Sequence, residues 1–302
     1  MPLTQRAEIQ RHPAHVRCRK GGGPQDGFAL VVVIWAVGIL ALLFSTYVGL
    51  ARYRAIEASA LAKRARAEAL ADAGVNMAIL DLLAGQAQTQ AGGPRFGRLG
   101  WPAICTTGPG TQLTVSVIDE GGKVDLNTAN PELVEALLLG IDRGNGVRAA
   151  RNLLALREAV LAAQRTQGLV SSAAPALRSV LELDQYDETG GHLLPSLLPY
   201  VTVHSRSTGV DPAIAPLHVL SILSSGGSTS REEARRAMPS AFAVESPGRT
   251  FLVAAEAVVS GARSSRDVVV EIADEFVSKF RILEYRDGSL RFEQNHTGLP
   301  PC

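Results

Sequence analysis

Gly27 to Ala51 reads GFALVVVIWAVGILALLFSTYVGLA, and from Phe28 onward it contains no charged residue. At about 1.5 Å of helical rise per residue the run from Phe28 covers roughly 36 Å, enough to cross a bilayer. In front of it lie Arg6, Arg11, Arg17, Arg19 and Lys20 against Glu8 and Asp26. A basic flank of this kind stays cytoplasmic, so the chain from Arg52 to Cys302 is expected on the far side of the membrane. Arg52 and Arg54 oppose that bias locally but are outnumbered. An ordinary secretory signal fits poorly, because the run is too long and no A-x-A cleavage site follows it. A plain signal anchor is the simpler alternative.

Behind the run, the helical pattern continues. Ile56, Ala60, Leu61, Ala65, Leu70, Met77, Leu80 and Leu83 recur at helical spacings, with charges such as Glu57, Lys63, Arg64, Arg66, Glu68 and Asp72 between them. Gly85 and Gly92-Gly93-Pro94 stop the pattern. One helix from Phe28 to Ala84 would measure roughly 85 Å. Its front is lipid-soluble and its rear amphipathic, with the buried stripe expected on the residues just named.

The 302 residues, 46% of them hydrophobic, suit this segment plus one or two globular units. A net charge of +1 favours neither a nucleic-acid binder nor an acidic tail. Of the three cysteines, Cys18 lies in the leader, which leaves Cys105 and Cys302 beyond the membrane, where pairing is chemically allowed. Spacing alone does not decide whether they pair.

Gly92 to Gly110 reads as a loop. Gln112 to Asp119 alternates as a strand with Leu113, Val115 and Val117 on one face. Then comes KVDLNTANPELVEALLLGIDRGNGVRAARNLLALREA, Lys123 to Ala159. Asn127 or Thr128 suits an N-cap, and Pro131 with Glu132 a first helical turn. Gly140, Gly144 and Gly146 mark a tight connection into a second helix. This is a helix–hairpin–helix pattern, and such turns can present backbone N–H groups to a phosphate, here beside Arg143, Arg148 and Arg151. The near-neutral charge and the lack of a clustered basic or aromatic stripe weigh against nucleic acid. Ala215 to Leu223 faintly repeats Asn130 to Leu138, and Ser230 opens another helix. Thr250–Ser260, Asp267–Ala273 and Lys279–Tyr285 are three strands with short turns, an antiparallel meander. A long helix on such a sheet gives an α+β fold.

No catalytic constellation emerges. His192, His204, His218 and His296 are scattered, there is no G-x-S-x-G or C-x-x-C, and Ser224 to Ser228 lacks a P-loop lysine. The chain is not expected to be an enzyme.

A basic leader ending in Gly, the Gly27–Phe28 junction, the charge-free run and the segment Lys63–Leu70 (KRARAEAL) together resemble a type IV prepilin. The resemblance implies cleavage by a prepilin peptidase after Gly27 and N-methylation of Phe28. Most pilins and pseudopilins carry Glu at the fifth residue after the cut, where this chain has Val32. An intramembrane carboxylate is costly and is kept for a partner, in that family the terminal amine of the subunit ahead. Its absence, together with Val117–Ala129 (VIDEGGKVDLNTA) and Leu197–Ser205 (LLPYVTVHS), resembles the K-type minor pseudopilins of the type II (general) secretion pathway. That resemblance implies a pilin-like α+β fold: a long N-terminal helix, transmembrane in front, on an antiparallel sheet with an inserted helical domain. The borders expected are a leader to 27, a membrane segment 28–51, the rest of the helix 52–84, scaffold 95–126, the helical insertion 127–197, and a second helical repeat with the meander at 198–292, before a tail.

It also implies an inner-membrane protein with its globular part in the periplasm. The implied partners are the minor pseudopilins of types I, J and H, the major pseudopilin, the prepilin peptidase and the inner-membrane assembly platform. The implied role is initiating and capping the tip of a pseudopilus, with no nucleic acid. The alternative is a membrane-anchored hairpin DNA-binding protein of a DNA-uptake or type IV pilus system. Calcium-binding members exist in the family, and Asp119, Glu120, Asp125, Asp184, Asp187 and Glu188 are hard oxygen donors. No ligand set follows from their spacing, so the metal stays unknown and no other cofactor is expected.

Overall fold

The computed structural model describes residues 26–87, 103–166, 175–185, 194–224 and 230–288. The leader before Asp26, Asp187, Glu188, His192, His296 and Cys302 lie outside these. The chain divides into two compact units, Met1–Ser59 and Ala60–Cys302.

The first unit holds the front of helix α1, which is assigned as one helix over Asp26–Ala87. From Phe28 to Leu50 its large apolar side chains are exposed apart from the half-buried Val48. By length and composition this helix is a candidate membrane anchor.

In the second unit the rear of α1 lies on a five-stranded sheet of order β1-β2-β5-β6-β7, antiparallel throughout. The strands are β1 (Ala103–Gly108), β2 (Thr111–Asp119), β5 (Thr250–Val259), β6 (Ala262–Ile272) and β7 (Phe280–Asp287). The α+β layering expected from the sequence is the fold observed. As the alternation requires, Leu113, Val115 and Val117 face α1, joined by Val253, Ala255, Val268 and Val270.

The stripe that α1 offers is not the one expected. Ala71, Val75, Ala78, Ile79 and Leu82 enter the core and Ala67 is buried above them. Ile56, Leu61, Met77 and Leu80 are exposed, while Leu70 and Leu83 pack only at the margin. The reason is distance. A Cβ at Gly74 would come within 2.9 Å of Leu113 Cδ1 and 3.2 Å of Ala255 Cβ, so the helix axis lies too close to the sheet for large side chains. Gly74 therefore sits at the closest approach, with Ala71 and Ala78 on either side of it and the larger Ile79 and Leu82 entering the core further along. At its edge Asp72 accepts hydrogen bonds from Arg266 Nε (2.9 Å) and Tyr285 Oη (3.0 Å), tying the helix to β6 and β7.

β1 lies in the stretch expected to be loop. Between β2 and β5 the chain leaves the sheet for a helical domain. It contains β3 (Val124–Asp125), α2 (Pro131–Ile141), α3 (Gly146–Thr166), α4 (Leu194–Leu197), β4 (Val201–Thr202), α5 (Leu217–Leu223) and α6 (Arg231–Ala237). Within it β4 pairs in parallel with β3 and does not join the main sheet. One core spans Val124 to Met238, so the expected border at 197 falls inside it and the second helical repeat belongs to the insertion. Gly140 of α2 faces Ile222 of α5, where an added Cβ would lie 2.4 Å from Ile222 Cγ2. The two repeats pack on each other there.

Candidate functional site: the junction of sheet and helices

Lys123 to Ala129 leads from the sheet into the helical domain, and its polar residues hold the segments together. Asp125 is fully buried. Its Oδ1 accepts from the backbone N–H of Asn127 (2.8 Å) and Thr128 (3.2 Å). Its Oδ2 accepts from Ser205 Oγ (3.1 Å) and the N–H of Arg206 (2.7 Å). Burial pushes this carboxyl up from its usual range, and the same donors oppose it. Three of the four partners are backbone N–H groups that can only donate, so the geometry suits a carboxylate. Arg206, held by one of those bonds, has the left-handed φ of 56° that non-glycine residues seldom adopt.

The neighbouring side chains do similar work. Asn127 Nδ2 donates to the carbonyls of Leu177 (2.9 Å) and Val203 (3.0 Å), and its Oδ1 accepts from Leu177 N–H (2.8 Å). Thr128 Oγ1 donates to Ser207 O (2.7 Å). Neither residue caps α2, contrary to the sequence expectation: the N-cap is Asn130, with no side-chain capping bond. The Asn127 amide and the Thr128 hydroxyl join segments roughly fifty to eighty positions away, a demand that no local pattern shows.

Upstream, Asp119 Oδ1 accepts from Gly121 N–H (2.9 Å) and Ser246 Oγ (3.0 Å), closing the point where the chain leaves and re-enters the sheet. Burial pushes Asp119 up as well. Lys123 Nζ donates to Glu120 Oε1 at 2.6 Å, with both side chains almost wholly buried. This pair lines a cavity of about 360 Å³ between the sheet face opposite α1 (Ile118, Leu252, Val269) and the helical domain (Val180, Leu198, Tyr200). His218 Nε2 lies 3.1 Å from Pro199 O, and burial lowers its basicity, which favours a neutral imidazole.

A second clamp sits on β7. Glu284 receives Ser179 Oγ (2.6 Å), His204 Nε2 (2.9 Å) and a two-pronged contact from Arg286 (2.7 Å on each oxygen). Ser179 and His204 belong to the helical domain, so this carboxylate fastens that domain to the edge strand. Burial pushes Glu284 up, but the donors from His204, Arg286 and Ser179 outweigh it and hold the pKa at about 2, against an ordinary 4.5. A depressed carboxylate contributes stability that is complete above pH 4.5 and is lost as pH falls through about 2. After discounting for solvent screening the contribution is on the order of 2 kcal/mol. The difference in unfolding free energy between wild type and Glu284→Gln, measured by denaturant titration, is therefore expected to shrink steadily between pH 4.5 and pH 2. A difference that stays constant over that range would remove Glu284 as the titrating clamp.

The hairpin between α2 and α3 forms as expected, but its donors are occupied. Asp142 Oδ1 accepts from Gly144 N–H (2.8 Å) and Asn145 N–H (3.2 Å), and Arg148 donates to Asn145 Oδ1 (2.8 Å). A phosphate approaching this turn would meet a carboxylate already seated on the amides. Gly146 is required by close approach, since a Cβ there would lie 2.3 Å from Leu138 O.

Among the described residues no three His, Cys, Asp or Glu side chains gather as a metal site. Asp119 and Glu120 share one turn, Asp125 is saturated by its four donors, and Asp184 lies in the short 3-10 turn Val180–Gln185. Cys105, on β1, is in a disulfide whose other half lies outside the described residues. Val32 is exposed on the apolar front of α1. Phe28 is exposed in its first turns, and of Gly27 only the helical backbone is described.

No protein-family model matches this chain. No curated protein matches it either. Among solved structures, it is similar to a chain in the crystal structure of the GspK-GspI-GspJ complex from the type 2 secretion system of enterotoxigenic Escherichia coli. That match is 14% identical with a TM-score of 0.48, and it covers 79% of this chain and 99% of the other.

Proposed function

We propose that the chain is a minor pseudopilin of the K type in a type II secretion system, acting in assembly and not in catalysis. The observation that carries the reading is the Gly27–Phe28 junction opening one helix that is apolar and exposed in front and laid on an antiparallel sheet behind. The helix holds the protein in the inner membrane, with the leader cytoplasmic and the globular part periplasmic. Prepilin peptidase cuts after Gly27, and Phe28 becomes the methylated amino terminus. Val32 supplies no carboxylate for the amine of a subunit ahead, which suits a subunit with none ahead of it. The insertion between β2 and β5 broadens the subunit, as fits one that initiates and caps a pseudopilus alongside minor pseudopilins of types I, J and H, above the major pseudopilin and its inner-membrane platform. The occupied amides of the hairpin turn count against the DNA-binding alternative.

The mass of the amino-terminal peptide tests this. In cells with prepilin peptidase the chain is expected to begin at methylated Phe28, and in cells without it the leader is retained. A leader retained in both sinks the reading.

A further inference from the structure

We propose that the cavity between the sheet and the helical domain is a binding site for a small uncharged organic molecule with an apolar body and a hydroxyl group. The inference stands independently of the functional reading above. The cavity, of about 360 Å³, falls within the range of small-molecule sites, about 300–1,000 Å³. Its walls come from two layers. Ile118, Leu252 and Val269 line it from the sheet face turned away from α1, and Val180, Leu198 and Pro216 line it from the helical domain. An apolar body seated here loses water on both sides. Because it touches both layers, it also stabilises their contact by mass action.

The charged groups of the lining decide the class of ligand. Lys123 and Glu120 hold each other at 2.6 Å. Arg286 grips both oxygens of Glu284 and stands opposite Asp267 in the β6–β7 pairing. A ligand bringing a charge of its own would give up its hydration to enter walls whose ions are already engaged with one another. A hydroxyl avoids that cost and still needs a hydrogen-bond partner. His218 supplies one. Its Nε2 lies 3.1 Å from Pro199 O, a carbonyl that can only accept, so the proton sits on Nε2 and Nδ1 is the acceptor of the neutral ring. The exposed His218 and the half-buried Tyr200 meet edge to face at the rim, with ring centres 5.0 Å apart, and set its width.

The test uses the full chain in lipid nanodiscs and azioctanol, an octanol whose chain carries a photoreactive diazirine. After irradiation the adducts are located by digestion and mass spectrometry. They are expected on Glu120, Tyr200 or His218, and to be lost when octanol is present in excess, as a saturable site requires. Excess octylammonium or octanoate is expected to leave them in place. Leu198→Trp, which fills the cavity from the helical side, is expected to abolish them while label on the apolar front of α1 persists. Cavity adducts that are absent from the wild type, or that excess octanol does not diminish, overturn the site. Loss to octylammonium or octanoate as readily as to octanol overturns the uncharged class of ligand. These comparisons use the wild type, so they decide the matter even if Leu198→Trp fails to fold. A folded Leu198→Trp that keeps the adducts also overturns the site.

Discussion

Lys123→Met is expected to destabilise the second unit by about 3–5 kcal/mol, a large share of the total stability of a domain this size. The ammonium and the Glu120 carboxylate sit 2.6 Å apart, with 7% and 3% of their side chains exposed. Removing the lysine leaves the buried Glu120 carboxyl without its ion-pair partner, in a cavity whose lining also holds Asp267, His204, His218 and Arg286. The charge must then draw in water or take up a proton, and either response costs what the pair had avoided. The pair itself is a different matter. Desolvating two charges costs about as much as their attraction returns, so Glu120→Leu combined with Lys123→Met is expected to recover most of the loss and end within about 1 kcal/mol of wild type. Urea unfolding of the four proteins in detergent gives the coupling directly. A single mutant that loses less than about 1 kcal/mol would show that water already reaches Glu120.

Asp125→Ala is expected to cost about 4 kcal/mol, from three backbone N–H groups and one hydroxyl deprived of their acceptor at a fully buried position. The damage should be local at first. The turn at Asn127–Thr128 and the turn at Ser205–Arg206 lose the atom that holds them to each other, and Arg206 loses the bond that keeps its φ of 56°. Asp125→Asn should cost about half as much, because one oxygen still accepts while the amide faces the Arg206 N–H as donor against donor. Limited proteolysis is the sharper measurement: new cleavage is expected between Asn127 and Ser207 before the sheet core yields. Cleavage that begins in β5 or β6 would mean that Asp125 supports something other than the junction.

The junction shows where reading the sequence stops. The alternation of β2 and the meander β5–β7 were legible, because each rests on side chains a few positions apart. So was the hairpin of α2 and α3, marked by Pro131 and its glycines. The role of Asp125 was not, since two of its four donors come from residues 205 and 206, eighty positions on. Glu284 carries no mark of its own within the strand Lys279–Tyr285, and only the folded chain brings Ser179 and His204 onto it. The face of α1 was misread for another reason. Large apolar residues dominate any periodicity, yet the sheet comes so near Gly74 that the face centred on Gly74, Ala71 and Ala78, with Val75, Ile79 and Leu82, makes the contact and Met77 and Leu80 turn outward. β1 and β3 were missed because six residues reading AICTTG and two reading VD carry too little pattern to register.

Asp119 and Phe251 are paired neighbours on adjacent antiparallel strands, with roughly 130 residues of chain between them. From the sheet's side, those two ends are what a short hairpin turn would present. The entropy of closing a loop grows only as the logarithm of its length, so the scaffold is nearly indifferent to what is spliced in at this point. The helical domain can therefore grow or shrink at this one point while the pairing of β2 with β5 and the helix laid on the sheet stay unchanged.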